Sequence, residues 1–391
     1  MILPLNPDMA ATAAPPVMEA QRWLASRRPG GPDLINVSQA APVAPPPEPL
    51  RQFMAEAVLT DPSVHLYGSD LGYSPLRDEI AAQWSGHYGG EISAAQVAIT
   101  SGCNQAFTAA IATLARAGDE VILPTPWYFN HHMFLEMCGI TSVPLPTGDD
   151  LLPDPDQAAA RITDKTRALV LVTPNNPGGV EYPADLVRAH YELAKSRGIA
   201  LIVDETYRDF DARAGAPHDL FADPDWPDTL IHLYSFSKAF RLTGHRVGAI
   251  IAHQNRLAEV EKYIDSVTIC PNQLGQRAAL WGLRNLGDWL AGERAEILDR
   301  RAAITQAVDA LDGWRLRGCG AYFAFVEHPF DLPSDQLARR LIRDQGILLL
   351  PGTMFVPETD PSGQRALRLA FANIDRAGIA ALQDRLQNLT L

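Results

Sequence analysis

Tyr234-Ser235-Phe236-Ser237-Lys238, with Gly244-His245-Arg246-Val247-Gly248 after it, joins two apolar runs, Thr229–Leu233 and Val247–Ala252. Short apolar runs bounded by polar residues predict buried strands. Lys238 therefore belongs to a connection, where binding and catalytic groups gather. Two hydroxyls precede the lysine and a guanidinium follows eight positions on. Ser235, Ser237 and Arg246 are donors suited to a phosphate, and Lys238 is left as an amine free to form an imine. Ser-x-x-Lys alone would read as a solvated loop. Ser-x-Ser-Lys followed by Gly-x-Arg-x-Gly reads as a site.

Other strand ends offer matching chemistry. Val97–Thr100 is a short strand leading into Ser101-Gly102-Cys103-Asn104 and an Ala-rich helix expected to run to about Ala117, with Gly118 ending it. The first turn of such a helix has free N–H groups and the positive end of the dipole, and Gly102 lets the backbone approach an anion. Val121–Pro124 leads into the aromatic cluster Trp127-Tyr128-Phe129, and Ala168–Val172 ends in the Asn-Pro-Gly turn around Asn176. Ile199–Val203 ends in Asp204, a carboxylate that needs a cationic partner there. Asp204, Asn176 and Lys238 fall at the ends of separate apolar strands, where open α/β sheets bind ligands.

The elements that position these groups follow from length and pattern. A chain of 391 residues suits two domains, and its 47% hydrophobic and 20% charged content is ordinary for a globular protein. A formal charge of −13 argues against nucleic-acid or anionic-membrane partners. No apolar run reaches the ~18 residues that span a bilayer. Residues 1–17 lack the pattern of a signal peptide. Cys103, Cys138, Cys270 and Cys319 are far apart and form no metal-type cluster, so no metal site is expected. They read as reduced thiols of a cytoplasmic protein. A helix is expected over Met18–Ser26, an extended piece over Ile35–Gln39, and neither internal helix nor central strand over Pro42–Pro49. Pro75–Ser85 reads as an amphipathic helix. Toward the C-terminus come helices Arg256–Ser266, Asn272–Asn285 and Trp289–Leu311, then strands Gly320–Phe325, Ile347–Leu350 and Arg365–Phe371.

From about Asn36 to about Asn373 the chain resembles the class I/II aminotransferases, pyridoxal-phosphate enzymes of fold type I. The resemblance implies an α/β large domain, a mixed and mostly parallel sheet between helices, over residues 50–275. A smaller, discontinuous α+β domain would come from residues 1–49 and 276–391. It implies pyridoxal 5'-phosphate held by a Schiff base to Lys238, with Ser101, Gly102, Cys103, Asn104, Ser235, Ser237 and Arg246 around the phosphate. Tyr128 would stack on the pyridine ring, with Trp127 the second choice. Asp204 would hold the ring-nitrogen proton, and Asn176 and Tyr207 would donate to the phenolic oxygen. Arg368 would grip the substrate α-carboxylate near Asn176 and Ala40, a two-bond fork that lysine cannot copy. A glycine often stands in the family about where Ala40 is here. Residues three apart on a strand face opposite sides, so Arg365 is expected to be a surface charge. Tyr67 matches a tyrosine that reaches the neighbouring subunit's cofactor, which implies a homodimer with shared sites.

The activity so implied is exchange of an amino group between an L-amino acid and a 2-oxo acid. The same motifs would serve a β-lyase, decarboxylase or oxidase. A non-catalytic sensor fits less well, because the first 35 or so residues are too few and too Pro-rich for a DNA-binding module. The segment Asp265–Gln273 contains no arginine, which disfavours aspartate as substrate, and Trp127, Tyr128 and Tyr73 are candidates to line a side-chain pocket.

Overall fold

A computed structural model describes residues 3–389. Its strands are β1 (Ile35–Asn36), β2 (Val97–Thr100), β3 (Glu120–Thr125), β4 (Thr141–Pro146), β5 (Thr166–Val172), β6 (Ala200–Asp204), β7 (Leu230–Ser235), β8 (Gly248–Ile251), β9 (Arg315–Gly320), β10 (Phe323–Glu327), β11 (Ile347–Leu348), β12 (Leu350–Pro351) and β13 (Ala366–Leu369). Seven of them form one sheet in the order β2-β8-β7-β6-β5-β3-β4. Only β8 runs antiparallel to its neighbours; the other pairings are parallel. The fold is therefore α/β with a mixed, mostly parallel sheet. Strands β5, β6 and β7 are almost wholly buried, as their unbroken apolar sequences require when both faces are covered.

Two apolar cores flank this sheet. One includes Trp84, Leu201, Tyr234 and Leu280, the other Phe107, Val170, Ile202 and Ile264. A third core fills a smaller unit built on the four-stranded sheet β12-β13-β10-β9. The N-terminal β1 joins this unit by pairing in parallel with β11. Helix Gln273–Asn285 buries Ala278, Ala279 and Leu280 in the same core as Leu50 and Leu76.

Several elements differ from the sequence pattern for local reasons. The N-terminal helix is Pro16–Arg22, continued by a 3-10 turn to Ser26. The helix after Gly102 ends at Ala112, where the carbonyl and hydroxyl of Thr113 face the Arg256 guanidinium. What reads as one strand over Gly320–Phe325 is a hairpin corner at Ala321, whose φ of 45° turns β9 into β10. Ile347–Leu350 likewise divides between two sheets. Edge strand β4 escapes the pattern because it carries two prolines, tolerated only where no donor is owed to a neighbour. Proline at the start of helix Glu48–Thr60 is permitted for the same lack of a donor, so that helix follows directly on the Pro-rich run. No helix among the described residues is long and apolar enough to cross a membrane.

Consecutive residues at the end of β6 point to opposite faces. Asp204 faces the second core and Glu205 the first. Glu205 is fully buried, accepts from Tyr88 Oη, and lies 2.8 Å from His232 Nε2 and 3.6 Å from His218 Nε2. Burial alone would raise its carboxyl, but the His218 and His232 imidazoles and the bond from Tyr88 outweigh this and hold it low, while burial brings His218 itself down to about 4, a neutral ring at pH 7. By donor type the trio could ligate a metal ion. Here Glu205 Oε2 is taken by Tyr88 and His232, and Arg208 donates to Tyr88 Oη at 3.2 Å, while Glu205 Oε1 and His218 Nε2 have no hydrogen-bond partner among the described residues. Glu205→Ala leaves these groups buried without their anion, and unfolding free energy should fall by about 3–5 kcal/mol. Urea unfolding midpoints of the two proteins check this.

Candidate active site

The carboxyl ends of β2, β3, β5, β6 and β7 and the start of the antiparallel β8 lie along one edge of the large sheet, and a cavity of about 490 Å³ opens there. It is the crevice position expected of an open α/β sheet. Its lining includes Cys103, Asn104, Tyr128, Asn176, Asp204, Tyr207, Ser235, Ser237, Lys238, Arg246 and Arg368, together with Ala40. Ser101 and Gly102 sit directly behind it, at the start of helix Cys103–Ala112.

One end of the cavity is built for an anion. The amides of Gln105 and Ala106 bond back to the Gly102 carbonyl, which leaves those of Cys103 and Asn104 without an intrahelical partner. Gly102 has φ 87°, which favours glycine, and a Cβ there would stand 2.2 Å from Arg246 Nη2 and push the guanidinium aside. Arg246 donates to Ser237 Oγ at 3.3 Å and to the Thr243 carbonyl at 3.0 Å. Ser235 caps the short helix Phe236–Ala239 by accepting from Ser237 N. Hydroxyls, first-turn amides and a guanidinium thus converge.

Lys238 donates to the carbonyl of Ala40 at 2.6 Å. Burial, then the charges of Arg246 and Arg368, bring its amine down to about 7. Asp204 accepts from the amide and hydroxyl of Thr206, at 3.0 and 2.7 Å. His131 Nε2 lies 3.4 Å from its other oxygen. Burial pushes this carboxyl up, but His131 and Thr206 outweigh that and hold it below its ordinary value. Asp204 is therefore an ionised carboxylate at neutral pH. His131 is itself clamped on the ring of Phe107, 3.8 Å between centroids.

Arg368, on β13, is 2% exposed. Its Nη1 donates to Asn176 Oδ1 at 2.9 Å and its Nη2 to the carbonyl of Ser38, while Nε has no partner. The rings of Phe323 and Phe355 each lie 5.0 Å from the guanidinium. No carboxylate pairs with it among the described residues, and burial brings it down to about 10. Arg365 lies one residue before the strand, at the end of a 3-10 turn, and donates to the His328 carbonyl.

Of the two stacking candidates only Tyr128 lines the cavity, with its hydroxyl 3.2 Å from Asn104 Oδ1. Trp127 is buried in the core and stacks on His132, centroids 4.1 Å apart. Tyr73 lies under the Arg277 guanidinium instead of in the cavity. Tyr67 is 78% exposed and does not line this chain's cavity. His131, Thr206, Thr243 and the Ser38 carbonyl belong to the site but carry no sequence motif. For His131 the one available signal was its place one helical turn before buried Leu135.

Residues 32–386 match the family described as aminotransferase class I and II. An aromatic aminotransferase of Arabidopsis thaliana is 28% identical over 354 residues, covering 88% of this chain and 86% of that relative. An aspartate aminotransferase of Sulfolobus acidocaldarius is 26% identical over 375 residues, 91% of this chain and 90% of its own. Among solved structures, the aspartate aminotransferase of Thermus thermophilus with maleate aligns with a TM-score of 0.90 at 23% identity, over 99% of each chain. At that identity the likeness speaks for the fold alone.

The lowered amine makes a direct prediction. Only the unprotonated amine is nucleophilic, so labelling of Lys238 by an acylating reagent should rise through pH 7 and level off above it. Peptide mapping across pH reads this midpoint. Arg246→Gln removes one repelling charge and should move the midpoint up.

Proposed function

The chain belongs to the class I and II aminotransferases, and from that premise we propose that it exchanges an amino group between an L-amino acid and a 2-oxo acid with pyridoxal 5'-phosphate bound at Lys238. The observation that carries the reading is Arg368, a buried guanidinium without a carboxylate, facing the same cavity as a weakly basic lysine and an ionised aspartate. A buried cation of this kind calls for an anionic partner. The substrate's α-carboxylate is such a partner.

The residues present fit the cofactor. Ser235, Ser237, Arg246 and the amides after Gly102 would take its phosphate. Asp204 would hold the proton on its ring nitrogen, and Tyr128 offers a flat face. Asn176 uses its oxygen for Arg368, so its amide remains to donate to the phenolic oxygen alongside Tyr207. When bound, the cofactor supplies an electron sink for the carbon next to the amino group.

The chain's own residues do the rest. Arg368 forks the carboxylate and so fixes how the α-carbon is presented. Lys238 Nζ takes the proton from that carbon and returns it, work suited to an amine near 7. Ala40 contributes its carbonyl, which holds Lys238 Nζ in place until the amine is engaged. Asp204, kept ionised by His131 and Thr206, would accept a hydrogen bond from the ring N–H and so keep that nitrogen protonated.

We also propose a homodimer in which Tyr67 serves the partner's site. Tyr67 and its neighbour Leu66 are 78% and 65% exposed, an apolar pair left uncovered on one chain. Four free cysteines support a cytoplasmic setting.

Borohydride reduction should fix the cofactor on the Lys238 peptide, and label on another lysine would sink the assignment. Arg368→Lys keeps the charge but loses the planar fork, so amino-acid half-reaction rates should drop roughly tenfold to a hundredfold while the cofactor still binds. Arg365→Lys should change little. Equal losses in both variants would mean that the wrong arginine was chosen. Sedimentation that finds an active monomer would remove the dimer.

A further inference from the structure

Helix Pro16–Arg22 reaches the cavity mouth with one face committed elsewhere. Pro16, Ala20 and Trp23, spaced four and three apart, are buried. Ala20 and Trp23 lie in the core of the smaller unit. Trp23 Nε1 donates to Glu19 at 2.9 Å, and Arg339 lies over the Trp23 ring at 4.4 Å while pairing with Glu19. With that face pinned, Val17, Met18 and Gln21 line the cavity, joined by Phe129 and Asn130 from the turn after β3. Met18 is 55% exposed, an apolar side chain held at an opening instead of in a core.

Charge decides what this end can take. The cationic residues lining the cavity are Lys238, Arg246 and Arg368, and the carboxylate is Asp204. The proposed reaction uses all four. This chain leaves nothing else charged in the lining to pair with a carboxylate or an ammonium at the far end of a substrate side chain. A charged end drawn inward from the mouth, against Val17 and Phe129, would give up water without an opposite charge from this chain, which is costly.

We propose that Val17, Met18 and Phe129 form the subsite for the substrate's side chain, and that it selects amino acids with an uncharged, mainly apolar side chain, of the methionine, leucine or phenylalanine class. This rests on the transamination reading and adds to it which amino acids react. Gln21 and Asn130 mark the polar rim. A side chain that reaches Met18 gains apolar contact that alanine cannot make.

The test follows the amino-donor half-reaction of the purified full-length enzyme loaded with pyridoxal phosphate, by its absorbance change and with no oxo acid present. Donors are L-alanine, methionine, leucine, phenylalanine, aspartate, glutamate and lysine. Methionine, leucine or phenylalanine should exceed alanine, and should exceed aspartate, glutamate and lysine by about tenfold or more in kcat/KM. Met18→Lys puts a cation at the exposed mouth and should cut the methionine-to-aspartate ratio by about tenfold or more. An acidic or basic donor that matches the neutral ones, or a ratio unmoved by Met18→Lys, overturns the inference while transamination stands. If no donor reacts, alanine included, the transamination reading falls and takes the inference with it.

Discussion

Three cations share one cavity with a single carboxylate, and the chain does not neutralise them itself. Lys238 and Arg368 are met by backbone carbonyls and an amide oxygen, and Arg246 by a hydroxyl and a carbonyl. Dipoles of this kind hold the buried charge of Arg368 without cancelling it, and leave it and the exposed Arg246 available to an incoming anion. The low basicity of Lys238 follows from the same crowding, because burial and two like charges both favour the neutral amine. Cofactor phosphate and substrate carboxylate would bring the negative charge that the site lacks.

Keeping such a site open requires rigid walls. The seven-stranded sheet provides them, with apolar cores on both faces and Lys238, Asp204, Asn176 and the first turn after Gly102 along one edge, while Arg368 comes from β13 of the smaller sheet. Behind Asp204 the chain places Glu205 in a separate buried cluster with Tyr88, His218 and His232. Two adjacent carboxylates thereby avoid each other, since strand geometry sends them to opposite faces and each has its own imidazole partners. One faces the cavity and the other anchors the sheet.

The segment Ile35–Ala41 links the two units. It pairs with β11, its Val37 carbonyl accepts from Ala370 N, and its Ser38 and Ala40 carbonyls meet Arg368 and Lys238. A movement of the smaller unit against the large sheet would shift both carbonyls together. The contacts of Arg368 and Lys238 are in this sense mechanically joined. Alanine in place of glycine at residue 40 does not disturb this link, because the contact is made by the backbone.

The lysine stretch, the glycine before helix Cys103–Ala112, the aspartate that ends β6 and the arginine of β13 were all legible in the sequence. The first three are local signals, residue types beside an apolar run, whereas Arg368 was singled out by resemblance to the family; the parallel strands follow from the same runs. What the sequence could not show is which groups meet across long separations. His131 against Asp204, Ser38 against Arg368 and Ala40 against Lys238 carry no spacing rule. Two of these are backbone carbonyls, which every residue has. Tyr128 and Trp127 are equivalent in pattern, and only packing against His132 removes Trp127 from the cavity. The hairpin corner at Ala321 and the proline-bearing edge strand β4 were hidden because neighbouring strands, not local propensity, decide them. Residue types within a strand or a turn determined the chemistry on offer; the sheet's order and the packing of a distant N-terminal segment decided which of those groups share one cavity.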